Sequence, residues 1–375
     1  MFMNCESKDM LAPAMTVSRR RTGQGDVISL DRQGVRENFL FARPRDADDL
    51  SIFDNFSAES GDVVAQMVFG GCRFHDPAQA RMGGAGWPMM WLQGDVSPGT
   101  RINGMQAFAL EGQPGGRVEL GGRTVGSTWA DDDADYCLLA GVLPSDLAVS
   151  GGAQTQNCFE QIEAALAKAG MDFSHVVRTW LYLDGLLSWY DEFNVARTAF
   201  FEKRGVFNRL VPASTGIGAI NPFGAALTAG ALAIRPRHGG VDIREVGSPL
   251  QCPATAYRSS FSRAVEVVYP DRRLLLVSGT ASIAPDGASE HRDDVVKQIL
   301  LTLDVVEAIL RSRDMDWGQT VRAIGYFRDL DAVPIFEDCC RQRGLPELPL
   351  TSAHAAVCRD DLLFEIELDA ISPYP

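Results

Sequence analysis

The apolar residues of this chain fall into distinct repeating patterns. In QTQNCFEQIEAALAKAG, Phe159, Ile162, Ala165, Leu166 and Ala169 recur at helical spacing. Val296, Ile299, Leu303, Val306 and Leu310 do likewise in DDVVKQILLTLDVVEAILRSRD. Each stretch predicts a helix with one buried face, and Gly170 is placed to end the first. Leu274–Val277 is instead a short unbroken apolar run closed by Ser278-Gly279, which predicts a strand. The last apolar stretch, VCRDDLLFEIELDA, alternates: Phe364, Ile366 and Leu368 point one way, and Leu363, Glu365, Glu367 and Asp369 the other. The apolar side of that strand packs on helices. Its acidic side is either a solvated face or a functional site, and the pattern alone leaves both open.

These patterns occur twice. MDFSHVVRTWLYLDGL, starting at Met171, returns as MDWGQTVRAIGYFRDL, starting at Met315, and the same offset carries Gln154 onto Gln298 and Leu166 onto Leu310. VPASTG at Val211 matches LPLTSA at Leu348 with a slightly shorter offset. Self-similarity of this kind predicts one structural unit used twice. In each unit the order reads β, α, β, α, β, β, an α+β fold with helices on one face of a sheet. The expected organisation is a loose N-terminal tail over residues 1–44, a first unit over 45–236 that carries an N-terminal β extension, a Gly/Pro-rich linker over 237–249, and a second unit over 250–375.

Composition narrows the function. The net charge is −14, which argues against a nucleic-acid partner, because phosphate-backbone binding needs clustered Lys and Arg. No apolar run is long enough to span a membrane. The first residues lack the sustained apolar core of a secretory leader. Eight scattered cysteines without a CxxC read as reduced thiols of a cytoplasmic protein. The five dispersed histidines show no metal-ligand spacing, so neither a metal nor another cofactor is expected.

LLLVSGTASI, the helix after it, VRAIGYFRDL and the closing DLLFEIELDAI resemble the RidA/YjgF (endoribonuclease L-PSP) superfamily, whose fold is similar to that of the small trimeric chorismate mutases. RTWLYL at Arg178, YDEFNVAR at Tyr190, PASTGIG at Pro212, SFSRA at Ser260 and VCRDDLLFEIE at Val357 resemble more particularly the chorismatases, which join two such units. The superfamily forms trimers with clefts at the interfaces, so the resemblance implies a homo-oligomer, a trimer being favoured, and a small anionic metabolite as ligand. It places Glu365 at the catalytic glutamate, with Thr228 near the matching place in the first unit. The second unit would then be the working half and the first a structural partner.

A chorismatase-like role requires a general acid to protonate an enolpyruvyl ether, and cations to hold a dianion. Glu365 is the candidate acid. Arg263, Arg328 and Arg359 are the candidate cations, each equally readable as a surface arginine paired with a nearby aspartate. Tyr257 and Arg258 could close the pocket. His354 could tune the site or be a packed core histidine, and Cys358 reads as a small buried hydrophobe. Arg178, Tyr190 and Arg197 read as internal packing and ion pairing. RidA enzymes that hydrolyse imines hold the substrate carboxylate with an arginine in a PARS turn, and Ser214 and Thr351 stand in its place here. Imine or enamine deamination, and non-catalytic metabolite binding, are the alternative functions.

Overall fold

The computed structural model describes residues 15–21, 25–32, 34–54, 61–112, 115–257 and 259–373. Residues 15–21, 25–32 and 35–42, expected as part of a loose tail, are instead strands. Antiparallel pairing joins β1 (Met15–Arg21), β2 (Gly25–Arg32) and β3 (Val35–Ala42). Residues 1–14 of the expected tail lie outside the described residues. β4 (Asp62–Gly70) follows, then helix α1 (His75–Arg81), β5 (Met89–Gly94) and β6 (Ile102–Glu111). In space the order is β1-β2-β3-β6-β4-β5, with β4 and β5 parallel and the other pairs antiparallel.

The first predicted unit contains β7 (Gly116–Leu120), β8 (Arg123–Ala130), β9 (Ala134–Val142), α2 (Gly151–Lys168), β10 (Val176–Leu183), α3 (Leu186–Lys203), β11 (Ala213–Ile220) and β12 (Leu227–Pro236). The second contains β13 (Asp242–Val246), β14 (Ala264–Val268), β15 (Arg272–Ala281), α4 (Val295–Arg311), β16 (Thr320–Phe327), α5 (Val333–Gln342), β17 (Leu350–His354) and β18 (Phe364–Pro373). Their spatial orders are β7-β8-β9-β12-β10-β11 and β13-β14-β15-β18-β16-β17. The tandem α+β units are therefore present. The expected linker is partly structured, since β13 is the edge strand of the second sheet.

The N-terminal extension has the same strand order and the same one parallel pair as the two units. The chain thus holds three six-stranded sheets of one connectivity, two of them backed by long helices, and the first two are joined edge to edge where β5 pairs antiparallel with β11. In the first sheet the short α1 and the buried Ile52 and Phe53 cover the outer face, packing on Val68 and Trp91. Without two long helices, its helical periodicity is missing and the sequence repeat does not reach it.

The three sheets meet around an approximate threefold axis. The rings of Phe69, Tyr182 and Tyr326, on β4, β10 and β16, the equivalent next-to-last strand of each order, form a near-equilateral triangle with centroids 6.3–6.4 Å apart. The two tyrosine hydroxyls hydrogen-bond at 2.8 Å. The ends of β5, β11 and β17 also converge: the Gly218 amide donates to the Ala356 carbonyl, and the Ala356 amide to Asp95 Oδ1.

The repeated residues have repeated duties. Gln154 Oε1 accepts from the Ala226 amide and Gln298 Oε1 from the Leu363 amide, so each pins the start of its closing strand to a helix. Asp172 and Asp316 each cap the short turn before β10 or β16. Helix α5 has 10 residues where α3 has 18, which accounts for the shorter offset after it. On β18, Phe364, Ile366, Leu368 and Ala370 pack on the helices. Glu365, Glu367 and Asp369 face a neighbouring sheet and are 5%, 0% and 7% exposed. The solvated reading of the acidic face is thereby overturned.

Candidate active site

A cleft of about 960 Å3 opens between the two helix-bearing units, at the upper end of the range typical of small-molecule sites. One wall comes from α3 and β11 of the first unit. The other comes from β15, β18 and the segments 254–263 and 358–362 of the second. Glu365 stands in this wall. Its carboxyl has no hydrogen-bond or salt-bridge partner among the described residues. Burial, with the neighbouring charge of Glu367 second, pushes its pKa up to about 8.

The local backbone explains how the carboxyl reaches the cleft. The pairing of β15 with β18 shifts register between Val277 and Thr280, a bulge at Ser278-Gly279. Ser278 Oγ donates to the Ser262 carbonyl and accepts from the Ser214 amide of the other unit. Gly279 leaves the space: a Cβ there would lie 2.0 Å from Glu365 Oε1.

Behind Glu365 is a buried ionic network that crosses between units. Arg178 on β10 contacts Glu367 at 2.9 Å and donates to the Val277 carbonyl and Thr215 Oγ1. Arg322 donates to Glu367 and to Asp369, and Trp180 Nε1 donates to Glu367. Burial alone would raise the Glu367 pKa, but Arg178 and Arg322 overcome it and hold the group at about 2. Two carboxyls two residues apart on one strand are thus driven to opposite protonation states, the arrangement that separates a proton donor from a fixed anion. The first unit lacks the acid. Thr228 occupies on β12, opposite Tyr182, the place that Glu365 takes on β18 opposite Tyr326.

Three arginines line the cleft, none with a carboxylate salt bridge among the described residues. Arg263 is buried, and its Nε and Nη2 donate to the Cys252 carbonyl. Arg359 donates through Nη1 to the Gly287 carbonyl and Ser289 Oγ. Arg197, also buried, donates to Asn194 Oδ1, and desolvation lowers its pKa. The Tyr257 ring lies 5.4 Å from both the Arg263 and the Arg359 guanidinium. Buried guanidiniums bonded only to neutral acceptors are unusual, and they suit an anionic ligand.

Of the sequence candidates, Glu365, Arg263, Arg359 and Tyr257 come together here. Arg328 does not. It donates to the Asp360 carbonyl beside the Asp360 carboxylate, outside the cleft. His354 is also elsewhere: its Nε2 meets the Arg328 carbonyl and its strand ends at the junction of the three sheets. Arg258 lies outside the described residues. Cys358 lines the cleft as a thiol, its pKa raised by burial to about 12, which fits a small apolar wall rather than a nucleophile. Ser214 lines the cleft, whereas Thr351 packs near Gly104. Arg197 and Tyr190 are residues that the sequence reading assigned to packing. Their signal is the helical stripe Tyr190, Asn194, Arg197, Thr198, which runs beside the buried face formed by Leu186, Phe193, Phe200 and Phe201.

No group of His, Cys, Asp and Glu among the described residues is arranged to hold a metal. The seven described cysteines are unpaired. No helix of the described residues is long and apolar enough to cross a membrane.

Fold and cleft define a class: a tandem α+β protein with a buried acid in a cleft between its own units. Within that class the chain resembles the chorismatases. Residues 117–233 match the N-terminal domain of the chorismatase FkbO/Hyg5-like family. A 3-hydroxybenzoate synthase of Streptomyces hygroscopicus is 28% identical over 273 residues, covering 66% of this chain and 76% of the relative. A chorismatase of the same organism is 28% identical over 218 residues, covering 51% of this chain and 60% of the relative. A crystal structure of a chorismatase matches with a TM-score of 0.66 at 17% identity, over 89% of this chain and 98% of that one, a likeness of fold.

Proposed function

We propose that the protein is a chorismatase-like enzyme that protonates the enolpyruvyl ether of chorismate and releases pyruvate. The observation that carries this reading is Glu365, a buried carboxyl without a partner, facing a cleft that also holds three arginines free of carboxylates. Chorismate brings two carboxylates, and Arg197, Arg263 and Arg359 supply charge-assisted donors for them. Near neutral pH Glu365 is protonated and available as a general acid. It gives its proton to the terminal methylene carbon of the enol ether, and the ether carbon becomes an oxocarbenium centre. Water adds to that carbon to give a hemiketal, which breaks its bond to the ring oxygen and passes its remaining hydroxyl proton to that oxygen, releasing pyruvate and a hydroxylated six-membered-ring carboxylate; alternatively a ring hydroxyl attacks the ring carbon that bears the ether, and that carbon's bond to the ether oxygen breaks to release pyruvate. The proton lost by the added oxygen restores Glu365. Glu367, fixed two residues away, helps keep the donor protonated.

The arginine that RidA imine hydrolases use is replaced by Ser214 in this cleft, and a hydroxyl does not supply a bidentate cationic contact. That departure favours the enol-ether chemistry. The cleft draws both walls from one chain, so we propose that a single copy suffices for activity. Incubating the protein with chorismate and following pyruvate tests the reading. Release that depends on Glu365 supports it, and no release refutes it.

A further inference from the structure

A second cavity, of about 130 Å3, lies between the three sheets and apart from the cleft. One side is an aromatic ladder: Phe39 and Phe108 have centroids 5.1 Å apart, Phe108 and Trp129 5.5 Å, and Trp129 stacks on Tyr136 at 5.0 Å with 9° between planes. Sheet register shows what is unusual about the opposite side. Phe108 pairs with Ala65, Leu232 with Arg178, and Asp369 with Arg322. Two sheets thus place an apolar residue at this position of the wall, and the third places an acid.

Two acceptors on this wall are unsatisfied. Gln106 is 4% exposed; its amide nitrogen donates to the Ala323 carbonyl at 2.6 Å, and its Oε1 has no partner. Asp369 is 7% exposed; Oδ2 accepts from Arg322 at 3.1 Å, and Oδ1 has no partner. A buried acceptor left without a donor is costly. The cations at the wall are already engaged: Arg272 with Asp131 and Asp271, Arg322 with Glu367 and Asp369. An anion therefore finds no free guanidinium here, while a hydroxyl donor finds two waiting oxygens. The volume is close to that of a cavity that takes benzene, about 150 Å3.

We propose that this cavity binds a neutral single-ring aromatic carrying a hydroxyl. Its ring lies against the aromatic ladder, and its O–H donates to Gln106 Oε1 or Asp369 Oδ1. The site is independent of the cleft and of the chemistry proposed there.

Phenol is the probe, and Trp129 and Trp180 in the wall are the reporters. Titrating the full chain with phenol should quench tryptophan fluorescence saturably at low millimolar concentration. Benzene should bind about five-fold more weakly, one neutral hydrogen bond being lost, and benzoate should give no saturable signal. Gln106→Leu should narrow the preference for phenol over benzene while keeping benzene binding, and Leu232→Trp, which fills the cavity, should abolish both. A phenol-soaked crystal of the unaltered protein gives an answer that needs no variant. Ring density between Phe108 and Asp369 supports the site, and ordered water alone there overturns it. Absence of saturable quenching, phenol binding that survives Leu232→Trp, or displacement of phenol by chorismate would each overturn it as well.

Discussion

Replacing Glu365 by glutamine keeps the shape of the side chain and removes its proton chemistry, so two independent consequences can be worked out. The first concerns stability. The ordinary glutamate pKa of 4.5 is raised to about 8 in the fold, so the folded state holds a proton that the unfolded chain would release. Below pH 4.5 both states are protonated and the group makes no difference. As pH rises from 4.5 the unfolded chain gains by ionising, and the penalty on the fold grows until it saturates above about 8. Its ceiling is roughly 3–5 kcal/mol at 1.36 kcal/mol per unit, the lower end allowing for water in the cleft. Glu365→Gln carries no such penalty. Its melting temperature should match the wild type near pH 4.5 and exceed it by several degrees near pH 9. The second consequence concerns rate. Pyruvate release by the wild type should be level near neutrality and fall about tenfold per unit above pH 8 as the acid ionises, whereas Glu365→Gln should lose about 10²–10⁴-fold. Differential scanning fluorimetry across pH and a coupled pyruvate assay read both. A stability difference that does not change with pH, or a glutamine variant as active as the wild type, would refute the reasoning.

Other outcomes follow from the same geometry. Gly279→Ala puts a methyl 2.0 Å from Glu365 Oε1; the flexible carboxyl must move, and pyruvate release should drop about 10–100-fold with the fold retained by circular dichroism. Arg197→Met removes a desolvated cation that has no carboxylate partner, so the melting temperature should rise slightly while KM for chorismate rises at least about tenfold. Arg178→Leu leaves Glu367 short of one of its two cations across the unit boundary, and urea denaturation should show a loss of about 3–5 kcal/mol. Glu367 itself is held at about 2 against an ordinary 4.5, so its contribution is present above pH 4.5 and disappears as pH falls toward 2; an acid titration of the denaturation midpoint checks this. Light scattering in solution should give the mass of one chain, 40.8 kDa, because both walls of the cleft come from that chain; a trimer without activity when diluted to monomers would contradict it.

Several features were legible because they are local. Helical spacing in α2 and α4, the alternation in β18 and the paired Gln154 and Gln298 each record how a segment meets its own sheet, and a repeat of such segments marks a repeated unit. The first sheet was not legible as a third copy, since helices carry most of the repeat's periodicity and it has only the short α1. Nor was the placement of Arg328 and His354: they stand at the ends of β16 and β17, which run out toward the junction of the sheets rather than into the cleft.

The sequence by itself determined the two α+β units and the face of β18 that bears Glu365, Glu367 and Asp369, because strand alternation and helical period are properties of neighbours along a chain; the choice of Glu365 among the three came from the family resemblance. Only the tertiary structure decided that this acidic face is buried, that Arg197 from the other unit joins Arg263 and Arg359 beside it, and that Glu365 and Glu367 hold opposite charge states. Those outcomes depend on desolvation and on charges brought together from distant positions, and neither quantity exists until the sheets have packed.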